Sequence, residues 1–536
     1  MVGDIRLKRQ FRIKNGAIEL MIDSAVNVVD EVLQDELGRA SDEGMKNIVA
    51  TIQRDQNTII RNDEAGVLII QGVAGSGKTS IALHRIAFLL YRFKDTLSSE
   101  DILIISPNRV FADYIANVLP ELGEETVTEI RMEDLADDLL EGEFKFQSFF
   151  EQTNALLTSK DQRLKERIQF KARRELLREL DRYAEHLEKQ RFQPRDIWIA
   201  RRLVPAFLFE ELYRKYRIYG PKESINRLIT AAEQKIGVQY HYDLTPEDRR
   251  SLRKEVRAML RSTTLRKAYR EFYDWLGAPE MFKPAKGSRL EYADVFPLVY
   301  LKMRLERVST QYRNVKHLLV DEMQDYTPVQ YAVLNRLFKC NKTILGDARQ
   351  SINPYSASSI EAIQGALSGA SCTYLNKSYR SSIEITRFTQ RINPNPDLIA
   401  IERHGEEPTV MHCATRAKQM AEVVAQAKAL AGSEHNSLAV ICKTEAQAEQ
   451  CFAALRAAKF GAQLLNEAST AFSIGVVVTT AHLAKGLEFD RVLVPFADEK
   501  NYHTDMDRNL LYVACTRAMH RLTLTYTGSP TCCLAP

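Results

Sequence analysis

The sequence contains no run of apolar residues long enough to cross a membrane. A helical span needs roughly 18 or more consecutive apolar residues, and no stretch of this 536-residue chain approaches that length. The N-terminal stretch MVGDIRLKR is too polar for the apolar segment of a secretory signal. We therefore expect a cytoplasmic protein without a membrane segment.

Metal-type cysteine spacing and a strong net charge are also missing. The eight cysteines lie in the C-terminal part of the chain, without the spacing of zinc ligands or of a disulfide framework, as expected in a reducing compartment. A formal net charge of +4 is too small at this length to indicate nucleic-acid binding by itself. Any inference about partners must therefore come from local motifs.

The clearest signal is a glycine-rich loop between an apolar run and a helical pattern. The apolar run VLII at 67–70 precedes GVAGSGKT at 72–79, and a helix-forming segment follows. This is a P-loop, in which backbone N–H groups hold a polyphosphate, Lys78 reaches the β and γ phosphates, and Thr79 ligates Mg²⁺. The predicted phosphate-binding residues are Gly72, Gly75, Ser76, Gly77, Lys78 and Thr79. The chain is therefore predicted to bind a nucleoside triphosphate.

An apolar strand that ends in two acids supplies the second half of such a site. The run KHLLV at 316–320 leads into Asp321 and Glu322. Beside a P-loop, Asp321 is predicted to hold the Mg²⁺, and Glu322 to orient and deprotonate the attacking water. Two solvated acids at a strand end are the alternative, which the P-loop makes the weaker interpretation.

Periodicity divides the chain into four regions. Residues 1–45 are predicted to form a hairpin around Asn15-Gly16, followed by a helix. The segments 46–125 and 291–368 alternate strands with helices, as in a parallel sheet, and they enclose a helical insertion at 126–290. A second α/β unit is predicted at 369–536.

The predicted insertion carries dense clusters of basic residues. Most of them are interleaved with acids, so a solvated helix face is favoured over a surface for nucleic acid or an acidic protein. The two clusters are Arg163, Lys165, Arg167, Lys171, Arg173 and Arg174, and then Arg249, Arg250, Arg253 and Lys254.

A series of further motifs, taken in order, resembles those of the UvrD-like superfamily 1 helicases. The resemblance implies that Gln56 pairs with adenine, Tyr379 stacks on it, and Glu488 contacts the ribose. The motifs are IQRDQ at 52–56, LGDARQSI at 345–352, LNKSYRSS at 375–382, TAHLAKGLEFD at 480–490 and RNLLYVACTRA at 508–518.

The same resemblance assigns three side chains to the γ phosphate. Gln350 senses it, Arg380 contacts it, and Arg517 is an arginine finger from the second domain. Two cations delivered by a separate domain can stabilise the charge that develops on a transferred phosphoryl group. The implied fold is α/β, with two RecA-like P-loop NTPase domains and a large helical insertion in the first. The implied cofactors are ATP and Mg²⁺.

Within that superfamily the chain most resembles HelD-type ATPases, which remove or recycle RNA polymerase. ISPNRVF at 105–111 and NIVATIQ at 47–53 carry this resemblance, and NPY at 353–355 replaces the aromatic and tryptophan that stack on bases in ordinary UvrD-like helicases. Without that platform the chain loses base stacking that contributes about 1 to 3 kcal/mol of binding free energy per base. The usual N-terminal arm of HelD-type proteins precedes the segment resembling residues 5–13, so we expect a shortened member or a fragment.

Three functions stay open at this stage. The first is a HelD-like ATPase that acts on RNA polymerase, the second a DNA-translocating helicase for repair, and the third a nucleotide-gated binding protein with little turnover. The missing aromatic platform and the short spacing between residues 382 and 480 favour the first over the second. Glu322 and the paired arginines argue against the third.

Overall fold

The computed structural model describes residues 9–14, 17–23, 56–107, 127–159, 161–219, 221–261, 263–306, 308, 310–356, 359–367, 369–467, 469 and 475–534. The predicted N-terminal hairpin is present, since β1 (Arg9–Lys14) pairs antiparallel with β2 (Ala17–Asp23). The helix expected after it, the NIVATIQ segment and residues 108–111 lie outside the described residues. Among the described helices, none is both long and apolar enough for a membrane span.

Two α/β units and a set of helices follow the hairpin. The strands are β3 (Val67–Gly72), β4 (Ile102–Ile105), β5 (Thr128–Ile130), β6 (Ile197–Ile199), β7 (Arg202–Val204), β8 (His317–Val320), β9 (Asn341–Gly346), β10 (Ala370–Leu375), β11 (Lys377–Ser378), β12 (Ile399–Ala400), β13 (Thr409–His412), β14 (Leu438–Cys442), β15 (Gln463–Leu464), β16 (Val476–Thr480), β17 (Phe489–Val494) and β18 (Ala518–Tyr526). The helices are α1 (Lys78–Arg92), α2 (Met132–Leu139), α3 (Phe149–Thr158), α4 (Gln162–Ala172), α5 (Glu175–Arg191), α6 (Ala206–Tyr216), α7 (Pro221–Tyr240), α8 (Pro246–Ala258), α9 (Leu265–Leu276), α10 (Tyr292–Leu305), α11 (Pro328–Leu337), α12 (Ile360–Ala366), α13 (Ile383–Ile392), α14 (Arg416–Leu430), α15 (Glu445–Ala457) and α16 (Asp505–Cys515).

The first sheet has six parallel strands in the order β10-β3-β9-β8-β4-β5. Strands β3, β4 and β8 carry runs of buried apolar residues because helices cover both faces of the sheet. Helix α1 covers one face, and the helices α2, α5, α10 and α11 cover the other. The carboxyl ends of β3, β8 and β9 lie at one edge, so the P-loop, the two acids and the loop after β9 meet there.

The first sheet includes strand β10, so this sheet extends further along the chain than predicted. Residues 370–375 pair along their whole length with β3, from Ala370 opposite Val67 to Leu375 opposite Gly72. The predicted domain limit at 368/369 therefore falls before a strand of the first sheet. Sequence periodicity marks a strand, but it does not say which sheet the strand joins.

The second sheet also has six parallel strands, in the order β13-β18-β17-β14-β16-β15. Its inner strands are β18, β17, β14 and β16. Helices α13 and α16 pack on one face and α14 and α15 on the other. Parallel pairing again requires these crossover helices.

The region predicted as a single helical insertion has two parts. Strand β5 and helices α2, α5 and α9 share the core of the first sheet. Residues 192–260 form a separate core, which we name the helical lobe; it contains the hairpin β6–β7 and helices α6, α7 and α8. Two chain segments lie side by side where the lobe begins and ends, with Gln193 N donating to Met259 O at 2.8 Å and Arg261 N to Arg191 O at 2.9 Å.

Part of the first basic cluster lies inside the protein instead of on its surface. Arg167 donates from Nε to Glu291 at 3.0 Å, and Lys171 Nζ lies 3.0 Å from Glu291 and 2.8 Å from Asp294. Tyr269 donates to Asp294 Oδ1 at 2.8 Å and Tyr273 at 3.2 Å. The solvated-face interpretation is therefore wrong for Arg167 and Lys171, whose charges are satisfied within this group, which we name the insertion network.

Candidate functional site

The P-loop links β3 to α1 by a turn that only small residues permit. Gly75 and Gly77 have φ of 72° and 75°, in the left-handed region that favours glycine. A Cβ on Gly75 would lie 2.6 Å from the Cβ of Arg380, and one on Gly72 would lie 2.4 Å from Ser76 Oγ. The loop therefore brings its backbone close to an arginine that follows β11.

A cavity of about 290 Å³ opens between the P-loop and residues from the second sheet. Most of the residues predicted for the ATP site line it, and the lining draws on both α/β units. The lining residues are Ala74, Gly75, Ser76, Gly77, Lys78, Thr79, Ser80, Asp321, Glu322, Gln350, Arg380, Gly486, Leu487, Glu488 and Arg517.

The loop is equipped for a polyphosphate. Helix α1 begins after Gly77, which provides no side-chain cap, so its first N–H groups remain available to an anion. Ser76 Oγ is buried without a hydrogen-bond partner. Lys78 Nζ donates to the carbonyls of Gly72 at 2.8 Å and Val73 at 3.0 Å, and burial lowers its pKa against the opposing charges of Asp347 and Glu322. These residues fit a triphosphate.

The two acids after β8 occupy different electrostatic environments. Burial and the charge of Glu322 raise the pKa of Asp321. Burial also opposes ionisation of Glu322, but Lys485 and Lys78 outweigh it and lower the pKa of Glu322. Gln324 donates to Glu322 Oε2 at 2.6 Å. The lowered pKa favours the carboxylate form of Glu322 at the cavity wall. One acid of the pair can therefore bind a cation while the other accepts a proton.

Arg517 reaches the cavity from the loop between α16 and β18. Its Nη2 donates to Gln350 Oε1 at 2.9 Å, and its Nε donates to Val513 O at 3.1 Å. Gln350 in turn donates to Asp347 Oδ2 at 2.8 Å. A hydrogen-bonded chain therefore joins the second α/β unit to the loop after β9, and Arg517 is almost fully buried in it.

Arg380 and Glu488, predicted to contact phosphate and ribose, pair with each other. The guanidinium of Arg380 forms an ion pair with Glu488, and its Nη1 donates to Thr516 O at 3.4 Å. The Nε of Arg380 is buried without a partner. Burial opposes ionisation of Glu488, but Arg380 lowers its pKa. Arg380 Nε can therefore still donate a hydrogen bond to a ligand beside the P-loop.

Three of the predicted residues lie next to the cavity without lining it. Gln56 Nε2 would lie 3.5 Å from a Cβ on Gly77. Tyr379 N donates to Gly75 O at 2.8 Å, so its backbone is fixed against the P-loop. Gly72 is the last residue of β3, where any side chain would meet Ser76 and Lys78. All three therefore adjoin the P-loop.

Lys485 is a residue that the sequence reasoning did not single out. Its ammonium forms an ion pair with Asp325 and lies 3.5 Å from Glu322 Oε2, although it follows β16 in the second sheet. The signal was available in the motif TAHLAKGLEFD, which contains Lys485. No spacing rule, however, connects a lysine to acids about 160 residues earlier in the chain. It is a second cationic link between the two units.

The P-loop, the carboxylate strand and the two arginines define a nucleotide-hydrolysing enzyme of the P-loop helicase class. A family model for the UvrD/REP helicase N-terminal domain matches residues 52–368, and one for the UvrD-like helicase C-terminal domain matches residues 475–525. The chain therefore belongs to the UvrD-like helicases, whose domains imply ATP hydrolysis.

The chain also resembles solved structures. The C-terminal domain of a possible DNA helicase from Lactobacillus plantarum WCFS1 shares 37% sequence identity over 30% of this chain and 92% of that chain, with a TM-score of 0.26. No curated protein matches the chain.

Proposed function

We propose that the cleft between the two sheets hydrolyses ATP with the residue roles expected from the sequence. Thr79 and Asp321 hold Mg²⁺, which neutralises phosphate charge when bound. Lys78 binds the phosphates, and Glu322 accepts the proton of the attacking water. The observation that supports this assignment is the shared cavity wall, on which these groups converge.

The remaining groups come from both α/β units. Arg380 and Arg517 stabilise charge on the transferred phosphoryl group, while Gln350 connects Arg517 to Asp347. Gln56 and Tyr379 hold adenine, and Glu488 exchanges its pairing with Arg380 for the ribose. Because Gln350 and Lys485 bond across the two units, nucleotide binding and hydrolysis change the fit between the sheets.

We further propose that this motor acts on RNA polymerase or its nucleic-acid complexes. The supporting observation is the surface of the helical lobe. Trp198 and Phe207 are each 67% exposed, and Leu203 lies directly opposite Trp198 in the hairpin β6–β7. Exposed apolar side chains that lie side by side, as Trp198 and Leu203 do, are typical of protein-binding surfaces. Aliphatic members such as Leu203 suit a protein partner better than stacked bases.

The segment after Gln350 supports the same choice. Asn353 is buried, and its side chain accepts from Tyr355 N at 3.1 Å instead of facing a strand of nucleic acid. Ser351 also points inward and bonds to Gln324 O at 3.2 Å. This segment is therefore buried between the two units and offers no stacking platform at residues 351–353.

A retention assay tests the partner. Core RNA polymerase is mixed with the parent chain, with the double variant Trp198→Ser/Phe207→Ser, and with Tyr91→Ser as a control for an exposed aromatic on α1. We expect the double variant to lose retention and polymerase-stimulated ATPase while keeping basal ATPase. Excising the lobe between Gln193 and Met259, which lie side by side, should have the same result. Equal retention by all variants would refute the assignment of this surface.

DNA translocation is the second candidate, favoured by the family match itself. Single-stranded DNA and a tailed duplex are therefore tested in parallel. We expect weak stimulation by DNA and poor unwinding. Robust unwinding without polymerase retention would favour the helicase function. Absence of any turnover with either partner would favour the nucleotide-gated binding protein.

A further inference from the structure

Three side chains able to bind a metal converge at the amino-terminal ends of strands in the second sheet. Asp490 lies in β17, His520 lies in the neighbouring strand β18, and His435 lies in the loop that precedes β14. Their ligand atoms lie within 4.8 Å of one another. The register of β17 against β18 shifts between Phe489 and Arg491, and such irregularities redirect the side chain between them.

The carboxylate of Asp490 is held in place by one of its two oxygens. Its Oδ2 accepts from Asn436 N at 3.0 Å, from Ser437 N at 2.9 Å and from Ser437 Oγ at 2.9 Å. Its Oδ1 lies 3.8 Å from His520 Nε2, which is too long for a hydrogen bond. Two ligand bonds of about 2 Å to a shared ion would span that gap. Asp490 is thus oriented as a metal ligand with supporting hydrogen bonds.

The two imidazoles are arranged beside this oxygen. Their rings are 5.1 Å apart and inclined by 19°. Burial, Arg403 and His435 lower the pKa of His520, and Arg403 Nη2 lies 3.1 Å from its Nε2. All three residues are half-buried, which leaves a path for an ion from solvent.

We propose that His435, Asp490 and His520 bind a divalent transition-metal ion, with Zn²⁺ as the best match. Two imidazoles and one carboxylate form a three-ligand set that zinc accepts with a water in the fourth position. The site lies outside the nucleotide cavity and does not depend on the function proposed above.

The guanidinium of Arg403 opposes this ion. Its Nη2 lies 2.8 Å from His520 Nδ1, and its Nη1 donates to the backbone oxygen of Arg380 at 2.9 Å. A divalent ion must overcome the charge of this guanidinium. Removing the charge should therefore tighten metal binding, whereas removing a ligand should weaken it. Metal occupancy would also act on the segment that carries Arg380.

A metal titration tests the proposal on the full chain, without nucleotide, after any affinity tag and bound metal have been removed. Co²⁺ is followed by its visible absorption and Zn²⁺ by calorimetry. We expect one ion per chain. His435→Gln and His520→Gln should each weaken binding by about tenfold or more. Arg403→Gln should strengthen it.

His412→Gln is the matched control, since His412 is exposed in β13 of the same sheet. It should bind the metal as the parent does. Absence of stoichiometric binding by the parent, or an affinity equal to that of the parent in both ligand variants, would overturn the site. Unchanged melting temperatures of the variants, measured without metal, separate ligand loss from misfolding.

Discussion

Two groups of buried charges in this chain differ in one property that decides what they can do. In the insertion network, Arg167, Lys171, Glu291 and Asp294 satisfy one another, with two tyrosine hydroxyls completing the group. In the nucleotide cleft, charges of both signs instead surround a cavity of about 290 Å³. The charges of the insertion network are bonded to one another, whereas those of the nucleotide cleft can bind a ligand.

Shifted pKa values alone do not separate the two groups. Each contains one acid whose pKa is raised by burial, Asp294 or Asp321, and one whose pKa is lowered against burial by nearby cations, Glu291 or Glu322. What distinguishes the cleft is unused bonding capacity, at Ser76 Oγ and Arg380 Nε. Perturbed acids therefore indicate function only together with space and free donors.

The largest expected effect comes from the cations of the cleft. Arg380→Ala and Arg517→Ala should each lower kcat by about 10³-fold or more, with much smaller changes in nucleotide affinity, because each charge serves mainly the transition state. Steady-state ATPase and binding of a fluorescent nucleotide measure the two quantities. Arg521→Ala is the control, since Arg521 lies in β18 and does not line the cavity. A loss of affinity with unchanged kcat would make both arginines ground-state phosphate ligands.

Substitutions in the insertion network should lower the stability of the protein and leave kcat unchanged. Lys171→Met leaves Asp294 buried without its cation and should destabilise the first unit by about 3 to 5 kcal/mol. Urea unfolding measures the free energy, and ATPase per folded molecule should stay at the parent value. Arg163→Met, on the exposed face of the same helix, should leave both unchanged. A fall in kcat without lost stability would break the distinction between the two groups.

A smaller change sharpens the same distinction. Tyr273→Phe removes one of two hydroxyls that donate to Asp294 Oδ1, and Tyr269 still donates at 2.8 Å. We expect a loss of about 1 kcal/mol in unfolding free energy, the usual contribution of a single hydrogen bond. A loss as large as that of Lys171→Met would mean that the network acts as one inseparable unit.

The sequence predicted the local parts of the fold better than their associations. Strands β3 and β8 follow from apolar runs, and the P-loop follows from its glycines. The membership of β10 in the first sheet did not follow, since pairing depends on contacts about 300 residues apart. The separate core of the helical lobe was also not predicted, because helical periodicity does not identify the neighbour of a helix.

The candidate site shows the same limit. Motifs located Lys78, Glu322 and Arg517, because each stands in a pattern with a recognisable role. Lys485 and its pairing with Asp325 depend on the relative placement of two sheets, and so does the burial of Lys171. The sequence does not distinguish Lys485 from Lys171. Only their partners in the fold show which lysine belongs to the nucleotide cleft and which to the insertion network.

One matched pair of substitutions tests the account most directly. Glu322→Gln and Glu291→Gln each remove the charge of a buried carboxylate and preserve its shape, one in the cleft and one in the insertion network. We predict that Glu322→Gln lowers ATP turnover by about 10²-fold or more with nucleotide binding and unfolding free energy retained, while Glu291→Gln lowers the unfolding free energy with turnover per folded molecule retained. ATP hydrolysis by Glu322→Gln at the parent rate would contradict the account.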